Sequence, residues 1–254
     1  MLAFDHGLSL GADGLEFDVH LSRDGVVVVH HDRTLERTTN GHGPLAALTA
    51  DELSRLDAGA HVPAFAGAAG GVPTLKEVLR RYRSARMIIE LKLNEPVLAH
   101  KTIDEVRAAD AVERVTLGSF GTRVLRAARA YEPRIATGSS REETRLFLYR
   151  SWCRWPVRRP AYQEFQVPEL AGSTRVVSPR FVRYAHEANC PVKVWTVDEE
   201  GDMRRLLSWG VDGIISDRPD VAVRVVRDGR AAPSASTEAG SDLHRGTASA
   251  RMRE

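Results

Sequence analysis

The residues able to do chemistry begin with Glu16, Asp18 and His31, all inside residues 14–32, GLEFDVHLSRDGVVVVHHD. Carboxylates are hard oxygen ligands and proton acceptors, and an imidazole moves protons near neutral pH. Residues 14–22 and 26–31 are rich in Leu, Phe and Val and read as two strands. Asp24-Gly25 separates them, a pair that a two-residue turn prefers because both positions need positive φ. Such a turn sets Asp18 across from His31, with Cβ atoms roughly 5 Å apart. Period two adds Glu16 to that face and turns Phe17, Val19 and His30 away. His20 shares the strand face of Asp18 nearer the turn and is expected at the surface. An isolated E-x-D also fits the wetted face of an edge hairpin, so the company these residues keep decides the matter.

Residues 86–93, RMIIELKL, read as another strand with Ile88, Glu90 and Lys92 on one face. Burying unpaired charge is costly, so this acid and base must bind each other or a ligand. Three carboxylates and a lysine near strand ends suit a divalent cation with oxygen ligands, together with a positive group for an anionic substrate.

Positioning these groups requires a regular frame, and the rest of the pattern supplies one. Thr49-x-x-Glu52 and Thr74-x-x-Glu77 have capping-box spacing. The first opens a short helix through Leu56, inside an excursion that continues as Gly- and Ala-rich coil; the second opens a helix through about Arg83. Helices are then expected at 95–110, 122–131 and 142–152, alternating with strands at 114–119 and 134–138. Short extended pieces follow at 163–167 and 174–178. Ser178-Pro179 opens a helix through Asn189. Strand 192–197, a helix over 199–209 capped by Asp198 and ended by Gly210, and strand 211–216 complete the series. This alternation specifies an α/β fold of parallel βαβ units, with seven barrel strands of which 14–22 is the earliest.

Residues 11–59 resemble the glycerophosphodiester phosphodiesterase family in the E-x-D strand, the D-G turn, H-D and the following L-x-R-T-T-x-G. PTLKEVL (73–79), IIELK (88–92), LGSF (117–120), VWTV (194–197) and GVDGIISDRPD (210–220) continue the resemblance in the family's order. It implies a (β/α)8 TIM-type barrel lacking its first strand, with a small insertion (33–71) after the second strand. It also implies hydrolysis of a small glycerophosphodiester to glycerol 3-phosphate and an alcohol. Glu16, Asp18 and Glu90 match the family's ligands for Mg²⁺ or Ca²⁺, and His31 matches its second acid/base histidine. Lys92 matches the phosphate-holding lysine, and Trp195 the wall of the glycerol pocket. The alternatives are a catalytically silent barrel that binds a phosphate-bearing ligand and a related phospholipase-type phosphodiesterase. Arg37, Thr38 and Thr39 could line the mouth, and surface charge explains them equally well. The family opens with a strand ending in His-Arg-Gly and a Pro-Glu-Asn-Thr entry into the first helix. Residues 1–14 resemble the second half of that helix, with no capping residue ahead of it. Met1 is therefore expected to be a late start or a truncation, with turnover impaired by the missing histidine.

Composition bounds the remainder. A 254-residue chain with 43% hydrophobic residues fits a single barrel domain over 1–226, followed by a tail poor in large apolar residues that is expected to be disordered. A net charge of +2 does not call for a nucleic-acid partner, and no apolar run approaches the roughly 18 residues of a membrane span. Cys153 and Cys190 lack C-x-x-C spacing and read as free thiols of a cytoplasmic protein. The stretch 145–160, RLFLYRSWCRWPVRRP, mixes arginines with aromatics. It is expected to be an outer helix with its apolar side packed inward, peripheral membrane contact being the alternative.

Overall fold

Helix α1 (Leu2–Leu10) starts without a side-chain cap and ends at Gly11 in the left-handed region, φ 97°. Strand β1 (Gly14–Leu21) follows and folds back as β2 (Val27–Val29). The computed structural model describes residues 1–68, 70–155 and 159–231. Next come α2 (Ala50–Ser54), α3 (Leu75–Arg81), β3 (Arg86–Leu91), α4 (Pro96–Ala108), β4 (Val115–Gly118), α5 (Thr122–Tyr131), β5 (Ala136–Thr137) and α6 (Arg141–Cys153). The last part contains β6 (Phe165–Pro168), the small pair β7 (Leu170–Ala171) and β8 (Thr174–Arg175), α7 (Pro179–Glu187), β9 (Val192–Trp195), α8 (Glu200–Ser208), β10 (Gly213–Ile214) and α9 (Pro219–Ala231).

Strands β1, β3, β4 and β5 pair in parallel in that order, and β2 lies antiparallel on the other side of β1. β6, β9 and β10 form a second parallel group, joined to β5 through a parallel bridge between Gly138 and Glu164. Among the described residues, seven parallel strands thus make the wall of a TIM-type barrel. The outer edge of β10, and along the first half of β1 the edge that faces away from β3, carry no strand partner among the described residues. Helices α1 and α9 meet at that seam, where Arg227 Nη2 lies 3.5 Å from the Leu10 carbonyl.

Alternation sorts the side chains. Leu15, Phe17 and Val19 of β1, Met87, Ile89 and Leu91 of β3, and Val115 and Leu117 of β4 face the core they share with α3, α4 and α5. Phe165, Val167, Val192 and Val194 build a second core with Phe147, Phe181, Met203 and Leu206. The excursion after β2 has its own small core of Val28, Leu35, Leu45, Leu53 and Val72, and both expected capping boxes form, at Thr49 and Thr74. Inside the barrel, Lys193 Nζ lies 2.7 Å from Glu164 Oε2, and Gln166 donates to Glu164 Oε1 at 2.7 Å. A Cβ on Gly118 would meet Gln166 Oε1, so a side chain there would have to displace the Gln166 amide.

Three expectations need correction. The β1–β2 loop holds three residues, not two: Ser22 N donates to the Val26 carbonyl at 3.0 Å, and Gly25 sits at φ 73°. The extended piece expected at 174–178 is the two-residue strand β8, which pairs only with β7 in a two-stranded hairpin. Asp198 does not cap α8, whose N-cap Glu199 makes no side-chain bond; Asp198 instead accepts from Ser216 Oγ and Asp217 N, both at 2.8 Å. Helix α9 runs to Ala231, past the edge expected at residue 226, and the remainder of the expected tail, 232–254, lies outside the described residues.

One ion cluster makes stability depend on acid. Glu132, with a side chain only 5% exposed, accepts from Arg107 Nε at 2.8 Å and from Arg134 Nε at 3.0 Å. The Arg134 bond, then the Arg107 bond, hold its carboxyl down at about 2. A depressed carboxylate stabilises the fold above its unfolded value and loses that contribution as pH falls through its folded one. Glu132→Gln is therefore expected to lower stability near neutrality and to flatten its decline between about pH 4.5 and 2, as followed by urea unfolding. Parallel curves for the two proteins over that window would show that the cluster contributes nothing.

Candidate active site

Glu16, Asp18, His31, Glu90, Lys92 and Trp195, all singled out from the sequence, line one cleft of about 1230 Å³. It opens at the carboxyl ends of the barrel strands, where Lys92 follows β3, Phe120 follows β4 and Asp217 follows β10. The parallel register of β1 and β3 sets Asp18 beside Glu90 and Glu16 beside Ile88. Each of the three acids presents an oxygen within 4.8 Å of the others. Oxygen ligands of Mg²⁺ or Ca²⁺ lie about 2.0–2.6 Å from the ion, so oxygens that share one ion are up to about 5 Å apart. The three carboxylates therefore fit a single hard cation.

Lys92 Nζ lies 2.8 Å from Asp18 Oδ1 and 3.2 Å from Glu90 Oε1, with all three side chains at most 20% exposed. Burial opposes the charge on Lys92, but its bond to Asp18 and the nearby carboxylates outweigh this and raise its pKa. Burial raises the carboxyl of Glu90. Burial, reinforced by the charges of Asp18 and Glu90, pushes Glu16 up to about 8. One lysine thus leaves a surplus of negative charge around the three oxygens, the condition a divalent cation relieves.

The histidines depart from expectation. Val19 opposes Val29 and His20 opposes Val28, so His30, not His31, follows opposite Asp18, and His30 N donates to the Asp18 carbonyl at 3.0 Å. The His30 ring, only 9% exposed, is taken up by the Thr34 carbonyl at 3.1 Å. The chain leaves the strand at that point, which brings the His31 side chain, 63% exposed, to the rim of the cleft. Its Nδ1 lies 2.6 Å from Asp32 Oδ1, and Arg37 grips the same carboxylate, Nε to Oδ2 at 2.5 Å and Nη2 to Oδ1 at 3.0 Å. Arg37, then His31, hold Asp32 well below the usual carboxylate range. His20 is not the surface residue it was expected to be. It is 4% exposed with Nε2 3.2 Å from the His31 carbonyl, and burial lowers its pKa. Thr39 is buried and bonded within its own loop.

Asp217, Phe120 and Arg141 also line the cleft and were not singled out. Asp217 adds to the negative field at Glu16, and the Phe120 ring meets Trp195 edge to face at 5.7 Å between centroids. Their shared signal is position: Phe120 and Asp217 lie in the short segments just beyond the carboxyl ends of β4 and β10.

Parallel strands wrapped by helices, with acids and a lysine gathered at their carboxyl ends, define a TIM-barrel hydrolase. Residues 1–221 match the Glycerophosphoryl diester phosphodiesterase family, to which the chain belongs. It is 32% identical over 233 residues to the glycerophosphodiester phosphodiesterase of Caldanaerobacter subterraneus subsp. tengcongensis, covering 89% of this chain and 91% of that one. The glycerophosphodiester phosphodiesterase of Agrobacterium tumefaciens is similar in structure, with a TM-score of 0.70 at 27% identity over 88% of this chain and 90% of that one. An Oleispira antarctica phosphodiesterase, solved in complex with the product sn-glycerol-3-phosphate, shares the fold with a TM-score of 0.72 at 24% identity, covering 89% of each chain.

Proposed function

We infer that this chain hydrolyses glycerophosphodiesters to sn-glycerol 3-phosphate and an alcohol, with a divalent cation, Mg²⁺ or Ca²⁺, held by Glu16, Asp18 and Glu90. The observation that carries this reading is the convergence of those three carboxylates beside Lys92. When bound, such a cation neutralises phosphate charge and stabilises the charge that develops on the phosphoryl oxygens. Lys92, fixed by Asp18 and Glu90, offers a positive charge to a phosphate oxygen. His31 carries the proton: engagement of Nδ1 by Asp32 orients the ring and leaves Nε2 to take a proton from the attacker or give one to the leaving oxygen. A new P–O bond forms from water, the P–O bond to the alcohol breaks, and the alcohol departs with its proton. Trp195, braced by Phe120, offers an apolar wall to the carbon face of glycerol. Two free thiols, Cys153 exposed and Cys190 buried, suit a reducing cytoplasm.

Glycerophosphocholine with added Mg²⁺ or Ca²⁺ tests the reaction. His31→Ala is expected to lower turnover by about 10²–10⁴-fold while leaving the cation-induced rise in melting temperature unchanged. An unaltered rate would remove His31 from proton transfer. Cation binding without turnover would favour the silent, phosphate-binding barrel.

A further inference from the structure

The arginine- and aromatic-rich stretch 145–160 does not turn its apolar side inward as expected. The buried side of α6 is made by Phe147, Leu148 and Ser151, with Phe147 packed on Phe165, Phe181 and Tyr184. Leu146, Tyr149 and Trp152 are 51%, 54% and 47% exposed, and Trp155, just past the helix, is 65% exposed. A spacing of three makes Leu146, Tyr149 and Trp152 neighbours on one helical face, and the last two rings meet edge to face at 5.4 Å. Leu170, 50% exposed, stands on the β7–β8 hairpin, whose Ala171, Gly172 and Thr174 line the main cleft together with Tyr149 and Trp152. The patch therefore borders the mouth of that cleft. Residues 156–158 of the stretch lie outside the described residues.

Side chains of this size gain by leaving water, and a cluster of them rimmed by charge marks a surface that something covers. The charge identifies the cover. Between Glu143 and Glu164 the sequence holds five arginines, no lysine and no carboxylate. A second cavity, of about 460 Å³, lies between the end of α6 and α7, where Arg154, Arg180 and Arg183 stand beside Trp155 with Glu187 as the one carboxylate among the described lining residues. Arg180 donates to the Trp152 carbonyl at 3.1 Å. Among the described residues Arg145, Arg154, Arg180 and Arg183 form no ion pair, whereas Arg204, Arg205 and Arg218 are each held by a carboxylate. Their charge is left to an outside anion, and the guanidinium fork matches phosphate oxygens. Free phosphate would use the arginines and leave the rings in water. A lipid surface answers both, because tryptophan and tyrosine favour a boundary with one side apolar and the other wet.

We propose that the exposed aromatic face of α6, with the arginines at its edges, rests on the surface of an anionic phospholipid bilayer. The rings enter the headgroup layer, and the cavity between α6 and α7 takes a lipid phosphate. This contact is separate from whatever the cleft turns over, so its test needs no turnover.

Flotation with unilamellar vesicles is that test. In about 0.1 M salt, where screening acts over about 10 Å, the wild-type chain is expected to float with equimolar phosphatidylcholine and phosphatidylglycerol and to bind pure phosphatidylcholine at least about tenfold more weakly. Trp152→Ser/Trp155→Ser should weaken binding to the anionic vesicles by about tenfold or more through lost apolar burial. Arg154→Glu/Arg183→Glu should weaken it by at least about tenfold, while Arg123→Glu/Arg126→Glu, the same change of charge on α5, stays within about threefold of the wild type. Every substituted residue is exposed, so all four chains should give the same circular dichroism. Vesicles with brominated acyl chains should quench tryptophan emission more in the wild type than in the tryptophan variant. Absent flotation, equal binding to the two vesicle types, equal quenching, or equal loss in the α5 variant would overturn the proposal. Dimerisation in sedimentation, lost in the tryptophan variant and without flotation, would assign the face to a second copy and overturn it as well.

Discussion

Asp18→Asn is expected to leave the chain folded and to reduce its divalent-cation-dependent hydrolysis of glycerophosphocholine by about 10³-fold or more. Lewis-acid stabilisation of the transition state is worth several kcal/mol, and each ~1.4 kcal/mol is a factor of ten in rate. Asp18 is the informative position because it is the cross-strand neighbour of Glu90, lies two residues from Glu16 on β1 and bonds Lys92 at 2.8 Å. Asparagine keeps the shape and one carbonyl oxygen but removes the charge. The fold should tolerate this, since it relieves part of the repulsion that helps hold Glu16 up at about 8. Thermal unfolding with and without Mg²⁺ or Ca²⁺ provides the control: the wild type gains stability by mass action with a bound ion, and the variant does not. A variant with the wild-type rate and melting shift would exclude Asp18 from cation binding.

Lys92→Met is expected to act in the opposite way, on stability first. In the cation-free chain it leaves Asp18 and Glu90, at most 20% exposed, without their positive partner and next to Glu16. Removing one member of a buried ion pair typically costs about 3–5 kcal/mol, which in a domain of this size lowers the melting temperature by roughly 6–20 °C. Saturating Mg²⁺ should restore much of that loss, so the cation-induced shift in melting temperature becomes larger than in the wild type. Turnover nevertheless stays low, because the lysine that meets the phosphate is gone. Equal cation-induced shifts in the two proteins would mean that lysine and cation do not answer to the same carboxylates.

Much of this frame was legible in the residue pattern. Helix α5 begins and ends where its period implies, and the capping boxes at Thr49 and Thr74 form because two donors and two acceptors at fixed spacing satisfy each other locally. The inward acids were legible for the same kind of reason: period two is a property of the strand alone, and only the parallel register was needed to bring Asp18 to Glu90. What failed depends on distant groups. Asp24-Gly25 is compatible with loops of two or three residues, and the longer one is held by Ser22 Oγ donating to Asp24 at 2.6 Å and by Ala50 N reaching the same carboxylate at 3.0 Å. His20 is buried and accepts no role at the surface because its ring is taken up by the carbonyl of His31. Asp217 reaches Glu16 only because barrel curvature brings the last strand round toward the first.

The β1–β2 loop carries a consequence for how such a chain can vary. Side chains alternate along both arms, so deleting or adding one residue among Arg23, Asp24 and Gly25 would slide β2 by one position against β1 and exchange the neighbours of every residue beyond the bend. Whether His31 or His30 arrives at the rim is thus decided several residues upstream, by length and not by lettering. Arg23 can be replaced freely by that measure, while an insertion beside it would hand the proton-carrying position to a different imidazole.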